Sequence, residues 1–240
     1  MKRVRVQLRA ELMLLARNGE QLLLTLVIPV VLLAFFGTVD VLPTGGMDRL
    51  DFLVPGTLAV AIMSTAMVSL GIATGFERSY QVLKRLGATP LTRGELVTAK
   101  IVSVFVVELV QAAVLVPIGL WLGWRPDGST IVVAVAAILF GTAAFAGIGL
   151  ILAGALRAEI NLAAQNGLYI VLLLSGGMII AHDSLPDAMA QAASVLPSSA
   201  LAELLRASLN GEGPLASPSL VLGAWALLAP AVAARRFRWS

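Results

Sequence analysis

Residues 52–75 read FLVPGTLAVAIMSTAMVSLGIATG, a run without a single charged side chain. A helix needs about 20 mostly apolar residues to cross the hydrocarbon core of a bilayer, so this run is long enough to span one. The core offers the backbone no hydrogen-bond partners, which leaves helices and closed barrels as the spanning structures. Barrel strands are about ten residues long and alternate in polarity, which this run does not. The run therefore predicts a transmembrane helix.

The remainder of the chain has a similar composition. Of its 240 residues, 58% are hydrophobic and 13% are charged, whereas about 25% of residues are charged in ordinary soluble domains. Outward from the first run, five further spans can be placed. The six predicted spans are Gln21–Val41, Phe52–Gly75, Val97–Leu122, Ile131–Leu156, Leu162–Ala181 and Pro218–Ala234. The sequence predicts an all-α polytopic membrane protein that forms a single transmembrane domain over residues 1–240.

Lysine and arginine are distributed unevenly between the two sides of these spans. With both termini placed in the cytoplasm, 14 of the 17 basic residues lie on the cytoplasmic side. The outer side then holds only Arg49, Arg125 and Arg206. Because cytoplasmic loops carry the excess of Lys and Arg, this count predicts six spans with both termini inside.

Several kinds of chemistry have no support in the sequence. The chain contains no cysteine and no glycine-rich phosphate loop ending in Gly-Lys-Ser/Thr, which excludes thiol chemistry and ATP binding of the P-loop type. His182, Asp183 and Ser184 are sequence neighbours, an arrangement that rarely forms a catalytic triad. The one histidine and the scattered carboxylates lack the spacing of metal ligands. We expect neither an enzyme nor a metal site, and the formal charge of +3 is expected to reflect basic cytoplasmic loops and not nucleic-acid binding.

Two segments outside the spans show helical patterns. Val4, Leu8, Leu12 and Leu15 recur at helical spacing among arginines, which predicts an amphipathic helix over residues 1–17 on the inner membrane face. On the outer side, residues 183–210 contain two Leu-Pro pairs around moderately apolar stretches. We expect short helices there that dip into the outer interface.

A charged insert separates the second and third spans. Residues 76–90 read FERSYQVLKRLGATP, with Tyr80, Leu83 and Leu86 at helical spacing beside Lys84 and Arg85. A short helix that presents apolar side chains with a basic rim suits docking into a groove on another protein. The same pattern is also compatible with a helix that lies on anionic lipid.

Two charged residues, Glu77 and Arg78, lie at the start of this stretch, where the second span ends. They predict either a gate or ion pair at the cytoplasmic boundary, or charges that simply extend from the helix end into water.

The third span carries a carboxylate near its middle. Glu108 lies among valines and leucines, and Gln111 shares its helix face. A carboxylate at this depth costs about 2.5–3.5 kcal/mol to insert, so it is expected to face a cavity, a polar partner or a subunit interface. Asn161, Gln165 and Asn166 of the fifth span are possible partners. Glu108 and Gln111 are therefore candidates for a transport pathway, and a purely structural role is the alternative.

Taken in order along nearly the whole chain, these features resemble the ABC-2 type permeases, the membrane subunits of ABC exporters. Within that group they are most similar to the daunorubicin-resistance-like drug-efflux permeases. The residues that carry the resemblance are Phe52-Leu53-Val54-Pro55-Gly56, Glu77-Arg78, Leu83-Lys84-Arg85-Leu86, Pro90-Leu91, Glu95-Leu96 and Lys100, between the amino-terminal helix and the Leu-Pro-punctuated outer segment Leu185–Arg206.

The resemblance implies a role for each segment. Met1–Arg17 corresponds to a connecting helix, Ser79–Pro90 to the coupling helix that receives motion from the ATPase, and Asp183–Asn210 to re-entrant outer helices. Arg157–Asn161 corresponds to a second ATPase contact. The coupling residues implied are Tyr80, Leu83, Lys84, Arg85, Leu86, Arg157 and Glu159.

The resemblance also implies partners. Two copies of a separate ATPase subunit bind ATP and Mg, and this chain carries no cofactor of its own. A second copy of the permease, or a related permease, completes the pathway in a bacterial-type plasma membrane. The substrate implied is a drug, lipid or glycolipid, moved outward by alternating access or lateral extrusion.

Three other classes of protein were weighed. An ion-coupled secondary transporter would use Glu108, but half-repeats and broken helices are not evident in the sequence. An intramembrane hydrolase would need a buried histidine beside Ser103, Thr142 or Ser175, and the spans contain none. A structural membrane-assembly protein would need neither Glu108 nor the insert. The exporter permease is the interpretation that uses every feature.

Overall fold

The computed structural model of the protein describes residues 2–17, 19–39, 44–181 and 186–236, and every regular element in these residues is helical. The helices are α1 (Lys2–Arg17), α2 (Gly19–Thr38), α3 (Arg49–Met63), α4 (Leu70–Ser79), α5 (Val82–Gly87), α6 (Arg93–Leu122), α7 (Ile131–Ala155), α8 (Ala158–Ser175), α9 (Asp187–Ala193), α10 (Pro197–Leu209) and α11 (Ala216–Arg236). A π-helical segment, Ser64–Ser69, joins α3 to α4, and a 3-10 turn, Gly128–Thr130, precedes α7. His182, Asp183 and the start of the outer segment at 183–185 lie outside the described residues.

Four helical units in this part of the chain are long and apolar enough to cross a membrane. They are Arg49–Ser79, Arg93–Leu122, Gly128–Ala155 and Ala216–Arg235, and they correspond to the second, third, fourth and sixth predicted spans. In α2 the described stretch Thr25–Thr38 is apolar and shorter than these four units. The fifth predicted span was drawn too long, because α8 ends at Ser175 and the chain turns at Gly176 and Gly177. The chain is therefore a helical membrane protein, and the count of six spans stays a prediction.

The unit formed by α3, the π-helical segment and α4 lies at the centre of the molecule. In its most apolar stretch 83% of the residues are buried by the rest of the protein, against 22–44% in the other three candidate spans. The π-helical segment was not predicted from the sequence. Such segments insert one extra residue into a helical turn and are frequent at functional sites.

Small residues of α7 allow its closest contact, which is with α11. A Cβ atom built on Gly147 would lie 2.5 Å from the backbone nitrogen of Pro230 and 2.6 Å from the carbonyl carbon of Ala229. Two helices that approach this closely gain dispersion contacts along their length, which is how helices associate where lipid surrounds them. The glycine content of the fourth predicted span thus serves packing within the subunit.

The outer segment forms the two short helices α9 and α10, as its Leu-Pro pairs predict. Pro197 opens α10 at its first turn, where a missing backbone N–H costs nothing. Nearly every side chain of α10 is buried, so this helix belongs to the core. That differs from the expectation of a segment that merely dips into the interface.

Two buried amides join α8 to α4 and α7. Asn161 Nδ2 donates to Gly71 O at 2.9 Å, and Gln165 Nε2 donates to Gly149 O at 2.9 Å. Both amides are fully buried. Glycine is required beneath them, because a Cβ on Gly71 would lie 2.0 Å from Gln165 Nε2 and one on Gly75 would lie 2.5 Å from Asn161 Nδ2.

We predict that Gly71→Ala destabilises the protein, because the added methyl group overlaps Gln165. Overpacking of this kind costs about 1–3 kcal/mol. The matched control is Gly167→Ala on α8, where a Cβ has no atom within 4 Å; it should be neutral or stabilising by up to about 1 kcal/mol through helix propensity. Thermal unfolding in detergent measures both variants. Equal melting temperatures for the two variants would contradict the packing described here.

Candidate functional site

A buried ion cluster joins three helices at the end of the molecule that carries the insert. Lys100 on α6 is 1% exposed. Its Nζ atom lies 2.8 Å from Glu77 Oε2 on α4 and 3.2 Å from Glu11 Oε1 on α1. These three residues are called the Lys100 cluster below.

The Lys100 cluster is bound together by hydrogen bonds as well as by charge. Lys100 Nζ donates to Glu11 Oε2 at 3.2 Å and to Glu77 Oε1 at 3.0 Å, and Gln7 Nε2 donates to Glu11 Oε1 at 2.8 Å. Removing one partner of a buried pair leaves an uncompensated charge and costs about 3–5 kcal/mol. α1, α4 and α6 are therefore strongly tied to one another at this point.

The next residue along α4, Arg78, joins the insert to α7. Its Nη1 atom donates to Ala153 O at 2.9 Å and to Gly154 O at 2.6 Å. The last carbonyls of a helix have no partners inside that helix and form its negative end, so a guanidinium there is stabilising. Glu77 and Arg78 thus point to different neighbours. The sequence had left open whether these two charges only extend into water. The structure shows that they bind other helices. A gating role for them stays a prediction.

The insert itself is shorter than the predicted coupling helix at Ser79–Pro90. Its helix, α5, begins directly after Gln81, which adopts φ 61°, a left-handed conformation unusual for a residue other than glycine. This break ends α4 and redirects the six residues of α5. Arg3 Nη1 on α1 donates to Pro90 O at 2.8 Å beyond α5. The insert is therefore anchored at both ends to the rest of the chain.

The side chains of the insert do not all face outward. Leu83 is 1% exposed and Leu86 is partly buried, whereas Tyr80 is 70% exposed and both Lys84 and Arg85 are exposed. The expectation that Leu83 protrudes toward a partner is therefore wrong for this conformation. The large apolar Leu83 takes the inward position, and Leu86 packs partly against the core. The accessible surface includes the aromatic ring of Tyr80, the side chain of Val82 and two cations.

The second predicted contact lies close to the same helix end. Arg157, in the turn between α7 and α8, and Glu159, in the first turn of α8, are both exposed. The carbonyl of Leu156 lies 3.4 Å from Arg78 Nη1. Arg78 therefore links the insert to the α7–α8 turn, which the sequence placed 70 or more positions away.

A cleft of about 650 Å³ opens beside the Lys100 cluster. It lies between α1 on one side and the α3–α4 unit and α6 on the other. Its wall is mostly apolar, with Leu70, Phe76 and Val104 among the lining residues. The rings of Phe76 and Tyr80 stack with centroids 6.1 Å apart at its margin.

Glu108 and Gln111 are both buried, at 3% and 2% exposed, but they contact different helices. Glu108 Oε2 accepts a hydrogen bond from Thr142 on α7. Gln111 Nε2 donates to Thr25 O on α2 and to Thr65 Oγ1 in the π-helical segment, both at 3.0 Å. The cleft is lined by neighbours such as Thr25 and Thr65 and not by these two residues.

The partners suggested for Glu108 from the sequence are not the ones observed. Asn161 and Gln165 bind α4 and α7 as described above, and Asn166 is exposed and donates to Leu162 O of its own helix. The hydroxyl of Thr142 donates a hydrogen bond to Glu108 instead, because α7 and not α8 packs against this part of α6. A pathway role for Glu108 and Gln111 stays a prediction.

Arg206 on α10 holds the opposite end of the molecule together. Its Nη2 atom donates to Met178 O at 2.9 Å, and its guanidinium carbon lies 3.7 Å from the centroid of the Phe52 ring. Burial lowers the pKa of Arg206 to about 10, and the nearby Glu203 opposes that shift. Arg206 therefore stays charged at neutral pH and connects α10, α3 and the segment after α8.

Sequence reasoning missed three of these residues. Lys100 was counted among the basic residues of a loop and as part of the family motif, but not as a buried ion-pair partner, and Arg206 was counted only among the basic residues of the outer side. Glu11 was not considered, although it lies between Leu8 and Leu12 on the inward face of α1. A carboxylate on the apolar stripe of an interfacial helix is the signal that could have identified it. Among the described residues, no group of three or more His, Asp or Glu side chains is placed to hold a metal ion.

The described residues thus contain helices of spanning length, an amphipathic amino-terminal helix and a short charged insert. The family model for the ABC-2 type transporter matches residues 2–210. The chain belongs to the ABC-2 type transporter family, and it is the permease component of an ABC-type transporter, a class that normally works with a separate ABC ATPase. A search of curated proteins found no significant match.

We predict that Lys100→Met lowers the free energy of unfolding by about 3–5 kcal/mol, because it leaves Glu11 and Glu77 buried together without a cation. Denaturant unfolding in detergent measures this loss. The control is the triple variant Lys100→Met/Glu11→Gln/Glu77→Gln, in which no charge is buried and most of the stability should return. If the triple variant is as unstable as Lys100→Met, the loss comes from packing and not from charge.

Proposed function

We propose that the chain is the membrane permease of an ATP-driven exporter, with six spans and both termini in the cytoplasm. The observation that carries this proposal is the attachment of the insert: Glu77 binds Lys100 of α6, which also binds Glu11 of α1, and Arg78 binds the end of α7. A force applied to the insert would reach these helices through short, buried contacts. Conformational switching by a partner needs such a handle and an interface with two arrangements.

The orientation supports this reading. With both termini inside, the insert, the α7–α8 turn and the basic α1 all lie in the cytoplasm, where an ATPase is found. The basic excess on that side is the supporting observation. In this arrangement α2 and α8 complete the six spans.

The docking surface on the permease would consist of Tyr80, Lys84 and Arg85 on the insert, with Arg157 and Glu159 beside them. All five side chains are exposed. Leu83 and Leu86 would support the insert from within. Two ATPase subunits, which bind ATP and Mg, would act on two permeases, identical or related, in a bacterial-type plasma membrane.

The transported molecule would be hydrophobic or amphipathic, as in the daunorubicin-resistance-like group. The supporting observation is the mostly apolar cleft that lies between α1 and the spans. Closing of the ATPases would move the insert, and with it the helices that form the cleft wall. Alternating access and lateral extrusion are both compatible with such a movement.

We predict that the double charge reversal Lys84→Glu/Arg85→Glu abolishes capture of the ABC ATPase by the detergent-solubilised permease. Close charge pairs at protein interfaces contribute about 1.5 kcal/mol or more each, so binding should weaken at least tenfold. Co-expression with the ATPase followed by affinity purification measures the captured amount.

Arg125→Glu is the matched control, because Arg125 is equally exposed but lies on the proposed outer side. Capture that is unchanged by Lys84→Glu/Arg85→Glu would contradict the docking surface. A wild-type permease that captures no ATPase, although the ATPase is expressed, would contradict the exporter itself.

One observation favours a second function, ion-coupled transport through Glu108. Its Oε1 atom is buried without a hydrogen-bond partner among the described residues, as a proton-binding carboxyl would be. Under the exporter proposal we expect no proton flux into proteoliposomes of the permease alone when a pH gradient is imposed, whether in wild type or in Glu108→Gln. A flux in wild type that Glu108→Gln removes would favour the ion-coupled transporter.

A further inference from the structure

We infer that the cleft beside the Lys100 cluster binds a zwitterionic phospholipid with a primary ammonium head group, of the phosphatidylethanolamine type. Its location in the inner leaflet rests on the orientation proposed above. Four features of the described residues point to this ligand: the apolar wall, the excess negative charge, the cation at the rim and the opening to the surroundings.

The size and wall of the cleft fit an apolar chain. A volume of about 650 Å³ lies within the range of roughly 300–1,000 Å³ typical of ligand pockets. Leu14 and Tyr80 line the cleft and are 61% and 70% exposed, so the cleft opens at the surface beside the interfacial helix α1. A lipid could place its head group inside while its acyl chains leave along this opening.

The inner end of the cleft has an unbalanced negative charge. Glu11 and Glu77 surround the one cation Lys100, which leaves one carboxylate charge uncompensated. Two carboxylates accept about eight hydrogen bonds, and Lys100 and Gln7 supply about five donors between them. The negative end of α4, which stops at Ser79, adds to the potential. A primary ammonium group brings one positive charge and three N–H donors to this position.

A second charge of the opposite sign lies at the rim. Arg17, in the last turn of α1, lines the same cleft and is exposed. A guanidinium binds a phosphate through two parallel hydrogen bonds. Carboxylates inside and an arginine at the margin therefore match a head group in which an ammonium and a phosphate are joined by a short linker.

This arrangement distinguishes among common phospholipids. Phosphatidylcholine has a quaternary ammonium without N–H donors, and phosphatidylglycerol has no cation. We therefore expect the cleft to prefer phosphatidylethanolamine over phosphatidylcholine, and phosphatidylcholine over phosphatidylglycerol. Loss of a hydrogen bond to a charged group corresponds to about tenfold in binding.

The experiment uses the full chain reconstituted in nanodiscs of equimolar phosphatidylethanolamine, phosphatidylcholine and phosphatidylglycerol. After extraction into a mild detergent, mass spectrometry counts the lipids that stay bound. Phosphatidylethanolamine should be enriched about tenfold over phosphatidylglycerol. Glu11→Gln should remove that enrichment, and Arg17→Gln should lower retention of all three lipids. The matched control Glu159→Gln removes a carboxylate that is exposed on the α7–α8 turn and should change nothing.

A second variant keeps the test independent of the stability of the Lys100 cluster. Ala73 lines the cleft, and Ala73→Phe should fill it and displace the retained lipid while leaving all charges in place. Equal retention of the three lipids by wild type would overturn the inference, as would an enrichment that survives both Glu11→Gln and Ala73→Phe. No ATPase is present in this experiment, so its failure is distinct from a failure of the proposed exporter, which is tested by ATPase capture.

Discussion

The structure depends on the burial of one ammonium group. Lys100 lies inside the protein at 1% exposure, and an unpaired charge at such a position would be prohibitively costly. Glu77 from α4 and Glu11 from α1 must therefore converge on it, which fixes the interfacial helix and the end of the second span against α6. The Lys100 cluster thus positions α1, α4 and α6 relative to one another, and the left-handed turn at Gln81 sets the direction in which the chain leaves α4 for the insert.

The same reasoning applies to the polar groups deeper in the molecule. Gln111, Asn161 and Gln165 are buried, and each donates to a backbone carbonyl of a neighbouring helix. Where these amides meet α4, glycine supplies the space. The central unit of α3, the π-helical segment and α4 is therefore held by directional bonds on several sides, in an environment where apolar contacts alone specify helix positions weakly.

These constraints connect the structure to transport. Glu77 and Arg78 are adjacent in sequence, yet they tie the base of the insert to α6 and α7 directly and to α1 through Lys100. In the proposed exporter, movement of the insert would be transmitted through these two residues without intervening flexible segments. Glu77 also forms part of the wall of the cleft, so the group that would receive the movement would also contact the proposed lipid.

Much of the architecture was predictable, because a bilayer imposes simple demands on a chain. The length of the apolar runs determined four spans that the structure confirms as candidates, the periodicity of residues 1–17 determined an amphipathic helix, and the Leu-Pro pairs determined two short outer helices. The set of motifs taken in order along nearly the whole chain indicated the family, which the family model confirmed. In each case the deciding feature is local: the length of an apolar run, the spacing of side chains or the order of motifs along the chain.

The partners of the polar side chains were decided only by the tertiary structure. The sequence indicated that Glu108 and Gln111 share a helix face. The packing of α7 against α6 makes Thr142 the hydrogen-bond partner of Glu108, and the π-helical segment places Thr65 beside Gln111. Leu83 and Leu86 have the spacing of exposed apolar contacts, yet the left-handed turn at Gln81 rotated Leu83 into the core. The identities of Glu11 and Arg206 as anchors depend on residues 28 to 154 positions away. Such contacts follow from how helices stack in three dimensions, and neither composition nor periodicity along one helix contains that information.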